Sequence, residues 1–218
     1  MDINESEHSL GGRFGPIPKT VFRQPCLDFV NSEFTDYRTG ADTYDRLDTS
    51  EWRRWLLDRW SYDAPTEVAP ATLAKLRRLR KLMRRIVEEH RKPSGSEVKV
   101  FNRLLAASPR IWRLLPHRSA GTVSIAIQLR PRRRGWDSVI ADLIVSMANL
   151  VSSNEIVRVK RCGNPNCNFL FYDESTDRRR RWCNASQCGN LHRVRAFRQK
   201  HRPKVGREGR RREGKYVT

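Results

Sequence analysis

Four of the five cysteines in this 218-residue chain fall between positions 162 and 188. They form two C-x4-C pairs, Cys162 with Cys167 and Cys183 with Cys188, separated by the fifteen residues 168–182. Each pair can close a tight loop, because Gly163 to Asn166 and Asn184 to Gln187 are turn-forming or small polar residues. Four soft thiolates at about 2.3 Å complete the tetrahedral sphere of Zn2+. A closed sphere has no position for water or substrate, so the expected zinc is structural and replaces a core too small to form alone. Phe169, Phe171 and Trp182 are expected to cover it. Neither pair has the C-x-x-C spacing of disulfide exchangers. Cys26, outside the group, reads as a small buried apolar residue.

Charge is the second constraint. The chain carries a formal net charge of +20, and residues 158–218 hold 18 of the 44 Lys/Arg against 5 of the 24 Asp/Glu. A concentrated cationic segment attracts polyanions through counterion release, so the expected partner is nucleic acid, duplex DNA first. Arg178, Arg179, Arg180 and Arg181 form an uninterrupted run that is expected to contact phosphates. A last helix opening at Cys188 would turn Leu191, Val194 and Phe197 toward the metal core and present Arg193, Arg195, Arg198 and Lys200 to a groove. An RNA-binding reading stays open, with Phe169, Phe171 and Tyr172 stacking on unpaired bases. His192 and His201 lie beside the cluster, where four cysteines make them unnecessary as ligands.

Upstream the fold class is mainly α with a small β-hairpin, an α+β chain. Residues 1–20, rich in Gly and Pro, read as a flexible leader. Residues 21–157 read as a helical domain, 158–202 as the four-cysteine zinc finger and 203–218 as a basic disordered tail. A helix over about 50–60 carries Trp52, Trp55, Leu56 and Trp60, with an Asp48-x-x-Glu51 capping pattern. Pro70 opens a second helix with Leu73, Leu76, Leu79, Met83, Ile86 and Val87 on one stripe. Ser96 is the expected cap of a third helix, burying Val98, Phe101, Leu104 and Leu105. Period two at Val123, Ile125, Ile127 and Leu129 marks the hairpin, with Ile111 to Leu115 across a turn at Gly121. A fourth helix spans about 136–153, and the strand-like Ile156 to Val159 leads into the finger. With modules so joined, loss of zinc is expected to unfold residues 160–200 and leave most of the helical domain.

No nucleophile, open metal site or phosphate loop is recognisable, so an enzyme is the least favoured class. Asp28 and Asn31, three residues apart, could share a helix face and meet a ligand, although a capping or packing role is favoured. His90 and His117 read as ordinary surface positions. No long apolar run suggests a membrane span, and the first fifteen residues lack the pattern of a secretory signal, so the expected location is the cytoplasm.

Taken together, the finger residues Cys162, Cys167, Phe171, Asp173, Ser175, the Arg178 to Arg181 run, Trp182-Cys183 and Cys188-Gly189-Asn190 resemble the CGNR zinc-finger family. Its members couple an N-terminal ABATE domain to the finger, and the opening Leu27-Asp28-Phe29-Val30-Asn31 with the helices that follow is similar to that domain. The resemblance implies a DNA-binding transcription regulator whose N-terminal domain senses a small-molecule effector or a protein partner. Where the family motif ends in arginine this chain has Leu191, which removes one donor from the expected nucleic-acid face and leaves the metal ligands untouched.

Overall fold

The structure, a computed structural model, describes residues 24–119 and 122–201, and at 117–119 and 122–124 the backbone alone. The expected leader, basic tail and Gly121 turn lie outside the described residues. The architecture is α+β, mainly helical with small antiparallel hairpins.

Pro25 opens helix α1 (Pro25–Val30), where its missing N–H is no loss. Cys26 through Val30 are all buried, so this short helix is the axis of the core rather than a surface element. Helix α2 (Ser50–Arg59) turns Trp52, Leu56 and Leu57 inward. Helices α3 (Pro70–Glu88) and α5 (Trp136–Ser152) both pack on α1, and α4 (Gly95–Ala106) lies on α5. The α3 stripe is Leu76, Leu79, Met83, Ile86 and Val87; that of α5 includes Val139, Ile140, Leu143, Met147 and Leu150.

Two expected caps move. Asp48 does not cap α2: it ends a 3-10 turn, Arg46–Asp48, whose own cap is Asp45, and it pairs with Arg77. The cap of α4 is Ser94 rather than Ser96. Ser94 Oγ accepts from the Glu97 N–H at 3.3 Å while the Glu97 carboxylate accepts from the Ser94 N–H at 2.7 Å. Three residues beyond Ser96 stands Lys99, which has no acceptor to close such a box. Of the four residues expected to be buried on α4, Phe101 alone is, and Val98 is 41% exposed.

Strands β1 (Glu33–Thr35) and β2 (Thr43–Asp45) form a hairpin the sequence reading did not contain. Arg80 of α3, 4% exposed, fastens it through both carboxylate oxygens of Asp45, Glu33 Oε2 and Ser32 Oγ. Strands β3 (Arg110–Ser119) and β4 (Thr122–Pro131) form the expected long hairpin, pairing Trp112 with Leu129, Leu114 with Ile127 and Pro116 with Ile125. That apolar row faces outward: Trp112 is 70% and Ile125 72% exposed. The strand expected at 156–159 is instead a 3-10 turn, Glu155–Arg158, running into β5 (Val159–Arg161), which pairs with β6 (Leu170–Tyr172).

The β5–β6 hairpin is built onto the helical domain. Asn31 clamps Leu170, donating to its carbonyl at 2.8 Å and accepting from its N–H at 2.9 Å. Arg84 of α3 donates to the carbonyls of Val30 and Asn168. Asn168 Oδ1 accepts from the Thr35 N–H at 2.9 Å, and Asn164 Nδ2 donates to the Tyr37 carbonyl at 2.7 Å. His90, read from sequence as an ordinary surface position, shares a 2.7 Å hydrogen bond with the Val159 carbonyl. One hydrophobic cluster runs from Cys26 through α3 and α5 to Phe171 and the four cysteines.

The helical domain and the finger share one hydrophobic core. Unfolding of the metal-loaded chain should give one transition, coincident by tryptophan fluorescence and by far-UV circular dichroism. Asn31→Ala should lower its free energy by about 2–3 kcal/mol, since it strands a buried N–H and a buried C=O at once. Two resolved transitions in urea would contradict the shared core.

Candidate metal centre and nucleic-acid interface

Each cysteine pair sits in a knuckle shaped by an asparagine. In the first, the Cys167 N–H donates to the Asn164 carbonyl at 2.8 Å, and Asn164 Oδ1 accepts from the Asn166 N–H at 3.3 Å. In the second, Asn184 Oδ1 accepts from the N–H groups of Ser186 at 2.9 Å and Gln187 at 3.0 Å, capping a π-helical turn, Ala185–Gly189. The Gly163 N–H donates to the Arg181 carbonyl at 2.8 Å and ties the two knuckles together.

All four Sγ atoms are buried and lie within 4.8 Å of one another. Cys167 and Cys183 are 3.8 Å apart and Cys183 and Cys188 3.7 Å. Disulfides would need about 2.0 Å. A tetrahedron with metal–sulfur bonds of about 2.3 Å has edges of about 3.8 Å, so the donor set matches a tetrathiolate ion site. Four thiolates this close repel one another, and a cation at their centre would offset that repulsion. Asn164 Nδ2 approaches Cys188 Sγ at 3.6 Å and would offset part of a tetrathiolate's excess negative charge.

Trp182 explains both glycines. A Cβ on Gly163 would stand 3.1 Å from the Arg181 carbonyl and 3.1 Å from the Trp182 ring, and one on Gly189 would stand 3.1 Å from the same ring. The indole therefore lies against both knuckles, and the His192 ring packs on it at 4.8 Å between centroids. Phe169 and Phe171 are buried as expected. Asp173, wholly buried, accepts from Lys160 Nζ at 2.7 Å, the Ser175 N–H at 3.0 Å and the Arg180 N–H at 3.1 Å. Burial by itself would raise this carboxyl, and those donors overcome it and hold it at about 2.

Helix α6 (Asn190–Lys200) begins directly after the last knuckle and buries none of its residues. The expectation that Val194 and Phe197 face the metal core therefore fails: they are 37% and 63% exposed, and the Phe197 ring stacks on His201 at 4.1 Å. The basic residues divide. Arg178, Arg179, Arg181, Arg193, Arg198 and Lys200 are exposed. Arg180 is turned in, donating to the carbonyls of Trp182 at 3.0 Å and Cys183 at 2.6 Å with its guanidinium over Phe171. Arg195 donates to the Arg38 carbonyl at 2.5 Å. Two residues expected on the nucleic-acid face, Arg180 at a phosphate and Arg195 toward a groove, thus make bracing contacts within the protein, Arg180 against the second knuckle and Arg195 against the loop between β1 and β2.

Asp28 and Asn31, for which the sequence favours a capping or packing role over ligand contact, make their polar contacts within the fold. Asn31 is the clamp on Leu170, and Asp28 Oδ2 accepts from Arg59 Nε and Trp60 Nε1, each at 2.9 Å. Burial raises the Asp28 carboxyl to about 6, opposed by Arg59 and Trp60. Cys26, buried as expected, has its thiol pushed up to about 12 by the same desolvation.

The ABATE family model, described as a "Putative stress-induced transcription regulator", matches residues 23–154. The CGNR zinc finger model matches residues 158–201. No curated protein matches the chain. No helix among the described residues is long and apolar enough to cross a membrane.

The Asp28 environment gives a pH signature. The folded chain holds this proton more tightly than the unfolded chain, so its stabilising contribution is complete below pH about 4 and is lost as pH rises through 6. The unfolding free energy of the wild type minus that of Asp28→Asn should fall by about 2–3 kcal/mol between pH 4 and 7. Parallel curves for the two proteins would contradict it.

Proposed function

The chain belongs to the ABATE family and carries a CGNR zinc finger at its C-terminal side, and from that premise we propose that it is a zinc-dependent, duplex-DNA-binding transcription regulator. Cys162, Cys167, Cys183 and Cys188 hold one Zn2+, which supplies a structural cross-link between the knuckles. The ABATE domain over 21–157 receives the signal, and the finger over 158–202 holds the nucleic acid. The observation that carries this reading is the split of the basic side chains: six exposed cations on the 178–181 loop and α6 stand around a buried thiolate cluster.

Those six, Arg178, Arg179, Arg181, Arg193, Arg198 and Lys200, are the proposed phosphate and groove contacts. Loop cations give affinity and register, while a basic helix of this length fits the major groove. An RNA reading by base stacking is less favoured, because Phe169 and Phe171 are buried and Tyr172 is half-buried.

Binding to duplex DNA should weaken steeply with salt. Arg179→Ala with Arg181→Ala should weaken binding to all duplexes and reduce the slope of log K against log salt by about 2. Arg180→Ala should act differently, lowering the unfolding midpoint of the chain because it strips the Trp182 and Cys183 carbonyls of their donor. Tighter binding of single-stranded RNA than of duplex DNA would overturn the choice of partner.

A further inference from the structure

A large cleft lies away from the finger, between the inner face of the β3–β4 hairpin, the end of α2 and the outer side of α5. Its volume is about 1060 Å³, just above the usual range for small-molecule sites. Five arginines line it against two aspartates. Arg110 pairs with Asp142 and Arg134 with Asp63, so both carboxylates are neutralised. Arg113, Arg130 and Arg132 have no acidic partner among the described residues.

The ladder register gives these cations an arrangement. Arg113 stands opposite Gln128, and Ile111 opposite Arg130, so Arg113 and Arg130 are diagonal neighbours on one face. Diagonal positions of that kind lie about 7–8 Å apart, a span across which two guanidinium forks can grip one oxyanion. Trp112, Leu114, Ile125 and Ile127 are on one face of the ribbon and point outward, while Arg113 and Arg130, themselves exposed, are on the opposite face and line the cleft. Opposite them stand Trp60, Tyr62 and Val145, an aromatic and apolar wall. Tyr62 lines the cleft, and its hydroxyl has no hydrogen-bond partner among the described residues.

We propose that this cleft binds a small organic anion, a carboxylate or phosphate headgroup on an apolar or aromatic body, with Arg113 and Arg130 holding the headgroup and Trp60, Tyr62 and Val145 the body. The assignment rests on the reading of the ABATE domain as the signal-receiving part and gives the signal its chemistry. It also moves the effector site away from Asp28 and Asn31. The start of α1 reaches the cleft: Pro25 and Gln24 just before it line the cleft, and Ser146 Oγ accepts from the Cys26 N–H at 3.3 Å.

The test is calorimetric titration of the full, metal-loaded chain with phenyl phosphate and with benzoate. Benzyl alcohol is the uncharged control and inorganic phosphate the headgroup alone. At least one aryl anion should bind, one per chain, ten-fold or more tightly than either control. Arg113→Gln and Arg130→Gln should each weaken it about ten-fold with the circular dichroism spectrum unchanged, and Val145→Trp should abolish it with both arginines in place. Binding of inorganic phosphate as tight as that of the aryl anions, indifference to all three substitutions, or no binding of any aryl anion would overturn the proposal. Duplex affinity measured on the same preparation separates the two readings. Duplex binding without aryl-anion binding overturns the cleft assignment alone, and aryl-anion binding without duplex affinity supports the cleft while overturning the regulator.

Discussion

Convergence of four thiols on one point is the interaction from which the C-terminal part takes its shape. Helix α6 has no buried residue, so no hydrophobic face fixes its direction. What fixes it is the knuckle at Cys188 and Gly189, the Trp182 indole wedged against that knuckle, and one brace from Arg195 to the Arg38 carbonyl. A cation held by the thiol cluster would lock that knuckle and so give the solvated basic segment a defined orientation. The buried Asp173 has a parallel task, since its carboxylate gathers Lys160, Ser175 and the Arg180 N–H and so sets the start of the basic loop.

The finger in turn leans on the helical domain. Its β5–β6 hairpin contributes Leu170 and Phe171 to a core that continues into α1, α3 and α5. Helix α1 is the shared element: its beginning borders the arginine-lined cleft, and Asn31 at its end clamps β6. One six-residue helix thus separates the cleft from the finger. A change of packing at one end has little soft material to dissipate in before it reaches the other.

Much of this was legible in the sequence where the signal was periodic or chemical. The C-x4-C pairs gave the cluster, the leucine stripe of α3 gave its buried face, and alternation at Ile125, Ile127 and Leu129 gave the long hairpin. Alternation could not say which face of that hairpin would turn outward, because the pattern is the same for either. The caps at Ser94 and Asp45 were missed for a local reason: several polar residues compete at each helix start, and reciprocal geometry decides among them. The split of the arginines was invisible for the opposite reason. Arg178 to Arg181 are chemically identical, and only the carbonyls of Trp182 and Cys183, placed by the fold, single out Arg180. For Asn31 the sequence favoured a capping or packing role but could not name the partner, because nothing in it shows Leu170 arriving beside Asn31.

The central claim is that Cys162, Cys167, Cys183 and Cys188 all ligate one zinc ion. Zinc-edge X-ray absorption on the purified full chain tests it most directly. One zinc per chain surrounded by four sulfur atoms at about 2.3 Å is the expected spectrum. A shell containing nitrogen or oxygen in place of any sulfur, or zinc at well below one per chain, would contradict it.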